Sequence, residues 1–254
     1  FPYTTLFRSH CGGVDLIFPH HENEIAQSEG ATGKPFARYW MHNGHINVDN
    51  QKMSKSAGNF FMVHDIVREY DPEAVRLFML SAQYRSPVNF SRDQIEQAAS
   101  SLQRLYTARD NALFKLEAAP EREMNPSERE FVERAKQSIA RFDDAMNDDL
   151  NTADALGALF EYVRDMNTSL ADAGAPCAQV LREGLAALGD MADVLGLLGR
   201  EFSAAPEQVK ALVQARQDAK KTKDFAEADR IRAEVLKLGY VIEDTPKGPK
   251  VKKA

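Results

Sequence analysis

The stretch Phe18-Pro19-His20-His21-Glu22-Asn23-Glu24 runs into Ile25-Ala26-Gln27-Ser28, which suits a helix. On that helix His20 and Glu24 lie four residues apart and share a face. An imidazole and a carboxylate at this spacing can hold a transition metal, zinc above all. Two ligands do not complete a site, so the rest must come from elsewhere in the fold. The plainer alternative is a polar helix start, with acidic residues near the positive end of the helix dipole. A second stretch, Lys52-Met53-Ser54-Lys55-Ser56, precedes Ala57-Gly58-Asn59. Two ammonium groups, two hydroxyls and a small flank suit a loop that closes over phosphates, with lysines as point charges on a triphosphate. A solvated loop is the alternative there.

The elements that must position these residues fall into four parts, without internal repeats. Residues 10–60 mix Gly, His, Pro and short apolar runs such as Asp15-Leu16-Ile17-Phe18, which read as strands and loops around a site. Tyr39-Trp40-Met41 and His45-Ile46-Asn47-Val48 read as short strands, with Asp49-Asn50 as turn residues and Trp40 packed near the site or, preferably, in the core. From about Val63 to Arg200 apolar residues recur at helical spacing. One stripe runs from Ile95 through Leu102, Leu105 and Tyr106, and a second from Phe131 to Met146. A third runs from Leu156 to Leu170, capped by Asn151 or Thr152, and a fourth from Val180 to Leu198, closed by Gly199. These are core faces of antiparallel helices. A linker at Phe202–Ala205 leads to Pro206, placed to open a helix, and another helix starts at Asp224 and ends at Gly239. Tyr240-Val241-Ile242 reads as a strand, Thr245-Pro246-Lys247-Gly248 as a turn and Lys250–Lys253 as a frayed end.

Composition limits what such a chain can be. Its 254 residues are 43% hydrophobic and 28% charged, as in a folded globular protein, and admit two or three domains. No apolar run is long enough to span a bilayer, and no secretory leader opens the chain, so neither a membrane nor export is expected. Two cysteines, Cys11 and Cys177, make no disulfide framework, which points to the cytoplasm. The net charge of -6 is uneven: residues 205–254 hold 12 basic and 8 acidic side chains, a basic tail on an acidic body. A tail of that kind points to a polyanionic partner, although a solvated Lys-rich helix gives the same count.

At the K-M-S-K-S loop the chain resembles the class I aminoacyl-tRNA synthetases, whose second signature this is. With Phe18–Glu24, Tyr39–Gly44 and Lys52–Phe60 it resembles the cysteinyl-tRNA synthetase family. The likeness continues through Tyr70–Arg76, Tyr84-Arg85-Ser86, Asp148–Thr152, Glu227–Asp229 and Ile242–Asp244, covering roughly residues 10–250. It implies a mainly α chain: the remnant of a Rossmann-type α/β catalytic domain (10–62), a stem-contact region (63–95), an antiparallel helical bundle of tRNA-binding type (96–200) and a small C-terminal α+β anticodon-binding module (206–254). Residues 1–9 do not match and are set aside as unrelated or foreign.

The resemblance also implies a chemistry. The family joins L-cysteine to tRNA(Cys) through a cysteinyl-adenylate, consuming ATP with Mg2+. It implies one Zn2+ for the substrate thiol, with His20 and Glu24 matching two of its ligands. Lys55 matches the lysine that stabilises charge during adenylate formation, with Lys52 assisting, and Lys52, Met53, Ser54, Lys55 and Ser56 form the ATP loop. His10 matches the histidine of a His-Gly-Gly-Gly stretch in which Cys11 replaces the first glycine, which would strain the loop if that position needs a positive φ. The family's two cysteine zinc ligands and its His-Ile-Gly-His motif fall upstream of the match. The chain is therefore expected to be a C-terminal fragment, inactive alone, weak in zinc binding and monomeric. Arg216, Lys220, Lys221 and Lys223 are candidates for phosphate contact. Two other readings remain: a cysteine ligase acting on an amino-sugar acceptor, and a non-catalytic tRNA-binding protein.

Overall fold

The computed structural model describes residues 7–48, 51–53, 62–172, 175–200, 207–222, 224–245 and 248–253. The fold is mainly α, in two compact units, Phe1–Gly199 and Arg200–Ala254.

The first unit opens with β1 (Phe7–Gly13), α1 (Glu22–Thr32) and β2 (Ala37–Asn43). The two strands are parallel, with His10 opposite Trp40 and Gly12 opposite His42. Parallel neighbours need a crossover, and α1 supplies it. Between β1 and α1 the chain makes a 3-10 turn at Val14–Leu16 and a π-helical turn at Ile17–His21. The apolar run Asp15–Phe18 is thus mostly helical rather than strand, with Phe18 alone extended. Setting aside residues 1–9 is corrected for the last three of them. Phe7 pairs with Ala37 across the strands, and its ring meets Phe36 edge-on at 5.2 Å.

Strand β3 (Ile46–Val48) is the middle of a second sheet, antiparallel to β4 (Gln51–Lys52) and parallel to β5 (Val88–Phe90). The expected turn Asp49-Asn50 lies outside the described residues. Helices α2 (Val63–Glu69) and α3 (Pro72–Leu80) follow, and the Asp71 carboxylate caps α3 by accepting the Glu73 N–H at 2.9 Å.

Helices α4 (Arg92–Leu116), α5 (Pro126–Asn147), α6 (Thr152–Asp172) and α7 (Ala178–Leu195) share one core with α3. Ile95, Leu102, Leu105, Phe131, Phe142, Leu159, Leu181 and Met191 are all buried in it. Each such side chain contributes about 1.5–3 kcal/mol. Asn151, rather than Thr152, accepts the Asp154 N–H at 3.2 Å to cap α6. Helix α7 ends at Gly196 (φ 64), not at Gly199, because Gly196 takes the left-handed cap and its carbonyl accepts Arg76 Nη1 at 2.7 Å.

The corner between α5 and α6 carries two left-handed residues, Asp149 (φ 54) and Leu150 (φ 55). The Asp149 carboxylate accepts the Tyr84 hydroxyl at 2.9 Å and Arg85 at 2.8 Å. On its other side this 82–87 loop meets β2 and β3: the Gly44 N–H donates to the Tyr84 carbonyl at 2.8 Å. A Cβ at Gly44 would lie 2.4 Å from the Ser86 backbone.

The second unit packs α8 (Glu207–Lys221) and α9 (Phe225–Lys237) against a hairpin of β6 (Tyr240–Thr245) and β7 (Gly248–Lys253). Its core is Val209, Val213, Ile231, Val235 and Ile242. Lys250–Lys253, expected to fray, instead pair with Tyr240–Glu243. Arg216 is buried, so it is not a solvent-facing phosphate contact, and Lys221 pairs with Asp218 at 3.0 Å. The expected linker 202–205, Pro206, Lys223 and the turn residues Pro246-Lys247 lie outside the described residues.

Candidate metal centre

Side chains alternate along a strand, so β1 presents His10 and Gly12 to one face and Cys11 to the other. Cys11 is exposed and has no positive φ, so the replacement of a glycine there brings no backbone strain. His10 points toward the first turn of α1, where Glu24 rises to meet it. His10 Nε2 lies 2.8 Å from Glu24 Oε2, and His20 Nε2 lies 3.5 Å from Oε1. His21 Nε2 approaches Oε2 at 4.0 Å. One donor atom each from His10, His21 and Glu24 lie within 4.8 Å of one another.

The three histidines differ in surroundings. The His20 side chain is 61% exposed and reaches Glu24 from the solvent side. His21 is buried, and burial, reinforced by the neighbouring His10 and His42, pulls its pKa below the ordinary histidine value. A neutral imidazole keeps a lone pair available, which metal ligation and hydrogen-bond acceptance both require. His21 Nδ1 and His42 Nε2 are 2.8 Å apart, within hydrogen-bond distance, and the ring tautomers decide which of the two donates.

Trp40 and Phe36 form the apolar wall. The Trp40 ring centre stands 5.0 Å from that of His10 and 5.3 Å from that of His21. Trp40 is only half-buried and borders the site, the second of the two places the sequence allowed it, rather than the preferred core. Gly12 makes room: a Cβ there would lie 2.8 Å from Leu16 Cδ1 and 2.9 Å from His21 Cε1.

The structure thus brings His20 and Glu24 together and adds His10 and His21, which the H-x-x-x-E spacing did not include. Imidazole nitrogens with a carboxylate form a donor set that suits zinc and its transition-metal neighbours. For the phosphate loop, the structure describes the backbone of Lys52 in β4 and Met53, whose N–H donates to the Ile46 carbonyl at 3.4 Å. Ser54, Lys55 and Ser56 lie outside the described residues.

Comparison with known proteins adds three family profiles in chain order. Residues 3–100 match the tRNA synthetases class I (C) catalytic domain, 141–199 the DALR domain, and 203–250 the cysteinyl-tRNA ligase anticodon binding domain. The chain is 51% identical over 248 residues to the cysteine–tRNA ligase of Caldicellulosiruptor saccharolyticus, covering 96% of this chain and 52% of that relative. It is 47% identical over 249 residues to that of Symbiobacterium thermophilum, with the same shares covered.

The chain belongs to the cysteine–tRNA ligase family. It spans about half the length of the curated relatives it matches. Among solved structures, LeuRS of Agrobacterium radiobacter K84, in a ternary complex with tRNA and LeuAMS, superposes with a TM-score of 0.59 at 20% identity. That match covers 77% of this chain and 28% of LeuRS, and shows a shared fold. The first profile begins at residue 3, in keeping with a β1 that begins at Phe7. Among the described residues, no helix is long and apolar enough to cross a membrane.

Proposed function

We propose that this chain takes part in ATP-dependent activation of L-cysteine and its transfer to tRNA(Cys). The observation that carries the reading is the division of labour at Glu24. Its Oε1 faces the exposed His20, while its Oε2 is held by His10 from inside the fold. A ligating carboxylate needs such an inner partner to fix its orientation. In this reading His20 and Glu24 are zinc ligands, His10 orients Glu24, and His21 with His42 fixes the floor. Zinc, when bound there, offers a thiolate a far better partner than it offers a serine hydroxyl, which separates two near-isosteres that shape alone separates poorly.

Lys52 and Lys55 offset triphosphate charge while the cysteine carboxylate attacks the α-phosphorus of ATP and pyrophosphate leaves, with Mg2+ accompanying the nucleotide. Met53, Ser54 and Ser56 complete that loop. A terminal ribose hydroxyl of tRNA then attacks the adenylate carbonyl, and AMP leaves. Residues 10–62 serve as catalytic part, 63–95 as stem-contact region, 96–200 as bundle and 206–254 as anticodon module. The profile match at 203–250 supports tRNA over an amino-sugar acceptor, which has no anticodon to read. A monomer in the cytoplasm fits this role.

The test is amino-acid-dependent ATP–pyrophosphate exchange by a protein of the relatives' full length that contains this chain, which alone is expected to be inactive. Exchange with cysteine and not with serine is expected, together with loss of bound zinc in Glu24→Gln. Exchange driven by another amino acid overturns the reading.

A further inference from the structure

The two oxygens of the Glu24 carboxylate have different surroundings. Oε1 faces the exposed His20 at 3.5 Å, while Oε2 faces inward to His10 at 2.8 Å and His21 at 4.0 Å. One donor atom each from His10, His21 and Glu24 lie within 4.8 Å of one another, and among the described residues this is the one such group of three. Neither cysteine of the chain joins it. Cys11 sits on the other face of β1, and the buried Cys177 accepts the Val180 N–H at the start of α7.

We propose that the chain holds a divalent transition metal, zinc first, at an inner position formed by His10 Nε2, His21 Nε2 and Glu24 Oε2. The inference rests on the zinc reading above and adds a second position with its own donors, sharing only Glu24. Two imidazoles and a carboxylate, drawn from β1, the π-helical turn and α1, give zinc three anchors and leave a fourth place open. The outer position draws only His20 and Glu24 from the described residues. Donor atoms around four-coordinate zinc stand about 3.3 Å apart when its bonds are about 2.0–2.1 Å. The separations of 2.8 and 4.0 Å at Oε2 straddle that value, so small ring rotations bring the three donors onto one ion. His10 then takes the tautomer with its hydrogen on Nδ1, which frees Nε2 for the metal. His42 supports the arrangement. When His21 Nδ1 donates to His42 Nε2, at 2.8 Å, the lone pair of His21 Nε2 is left for the metal, and a partner on the far nitrogen is what orients most metal-binding imidazoles. The Trp40 ring, 5.3 Å from that of His21, walls the position against water.

The test uses the full chain with Cd2+ as an NMR-active substitute for zinc, in a correlation spectrum that shows only ring protons coupled through nitrogen to the metal. Signals from His10 and His21 are expected. Competition for Zn2+ with a chromophoric chelator gives the affinities. His10→Ala and His21→Ala should each bind at least about tenfold more weakly, and His20→Ala should lose less than either. His64→Ala, on the exposed side of α2, should bind as the parent does. The cadmium spectrum needs no substitution, so the proposal stays decidable even where His21→Ala, at a buried position, fails to fold. Coupling from His20 in place of His10 or His21, the largest loss in His20→Ala, or no metal uptake by the parent would each overturn the proposal. None of these readouts involves cysteine or ATP, so the exchange assay stands or falls separately.

Discussion

At Gly12 a single methyl group decides whether the site can form. A Cβ there would press on Leu16 Cδ1 and His21 Cε1, and the His21 ring, wedged among His10, Trp40 and His42, has little room to retreat. Overpacking of this kind costs about 1–3 kcal/mol. Gly12→Ala is therefore expected to lower the thermal midpoint and weaken zinc binding by about tenfold, measured by competition with a chromophoric chelator. Unchanged zinc affinity would show that the His21 floor has no part in holding Glu24. The His20–Glu24 pair was legible because it obeys one helical turn. The His10–Glu24 bond was not, because it joins a strand to a helix across fourteen residues, and no local period encodes that approach. Trp40 was hard to place for a related reason: two of its ring neighbours, His10 on β1 and His21 in the turn before α1, come from outside its own stretch.

At the scale of elements, the start of α5 depends on one carboxylate. Glu128 is buried and accepts two bonds from Arg122, at 2.7 and 2.8 Å, plus the N–H groups of Asn125 at 2.8 Å and Cys177 at 2.9 Å. The Arg122 bonds above all hold its pKa down at about 2, against 4.5 for a free side chain. The unfolded chain therefore binds this proton more readily. The stabilisation is fully present above about pH 4.5 and is lost as pH falls toward 2. With Arg122 partly exposed, the effect is about 2 kcal/mol. Urea midpoints should fall across that interval, and Glu128→Gln should start lower at neutral pH and flatten the dependence; an equally steep fall in the variant would remove Glu128 as the cause. Most of this bundle could be read ahead of the structure, since its stripes and caps are local features. The end of α7 could not: Gly196 and Gly199 both follow the stripe, and the choice between them depends on Arg76, 120 residues away. The strand at Lys250–Lys253 escaped for the same reason, because its partner determines it and its composition resembles a solvated tail.

At the scale of the whole molecule, each unit has its own apolar core, and the two are very unequal. Among the described residues, the second rests on a cluster of five branched aliphatic side chains, Val209, Val213, Ile231, Val235 and Ile242. A core of that size in a segment of this length rarely supplies more than about 3–5 kcal/mol. Residues 200–254 expressed alone should therefore melt in a broad, low-temperature transition by circular dichroism. A sharp transition near that of the full chain would mean that this core is stronger than its size implies. Charge is the property read most dependably from sequence at this scale, yet its detail changed. Arg216 proved to be buried rather than part of a solvent-facing basic surface.

The 82–87 loop bears on where the polypeptide can be cut open and added to. Surface connections are the usual places to splice in a fluorescent label or a fusion partner. This one is bonded to Gly44 on one side and to the left-handed Asp149 on the other, so added residues would push β3 and the α5–α6 corner apart. The turn after α1, at Gly33-Lys34, is exposed, and its backbone bonds run only to Glu29 and Thr32 of the same helix, which makes the residues after Gly33 the better place to accept an insertion.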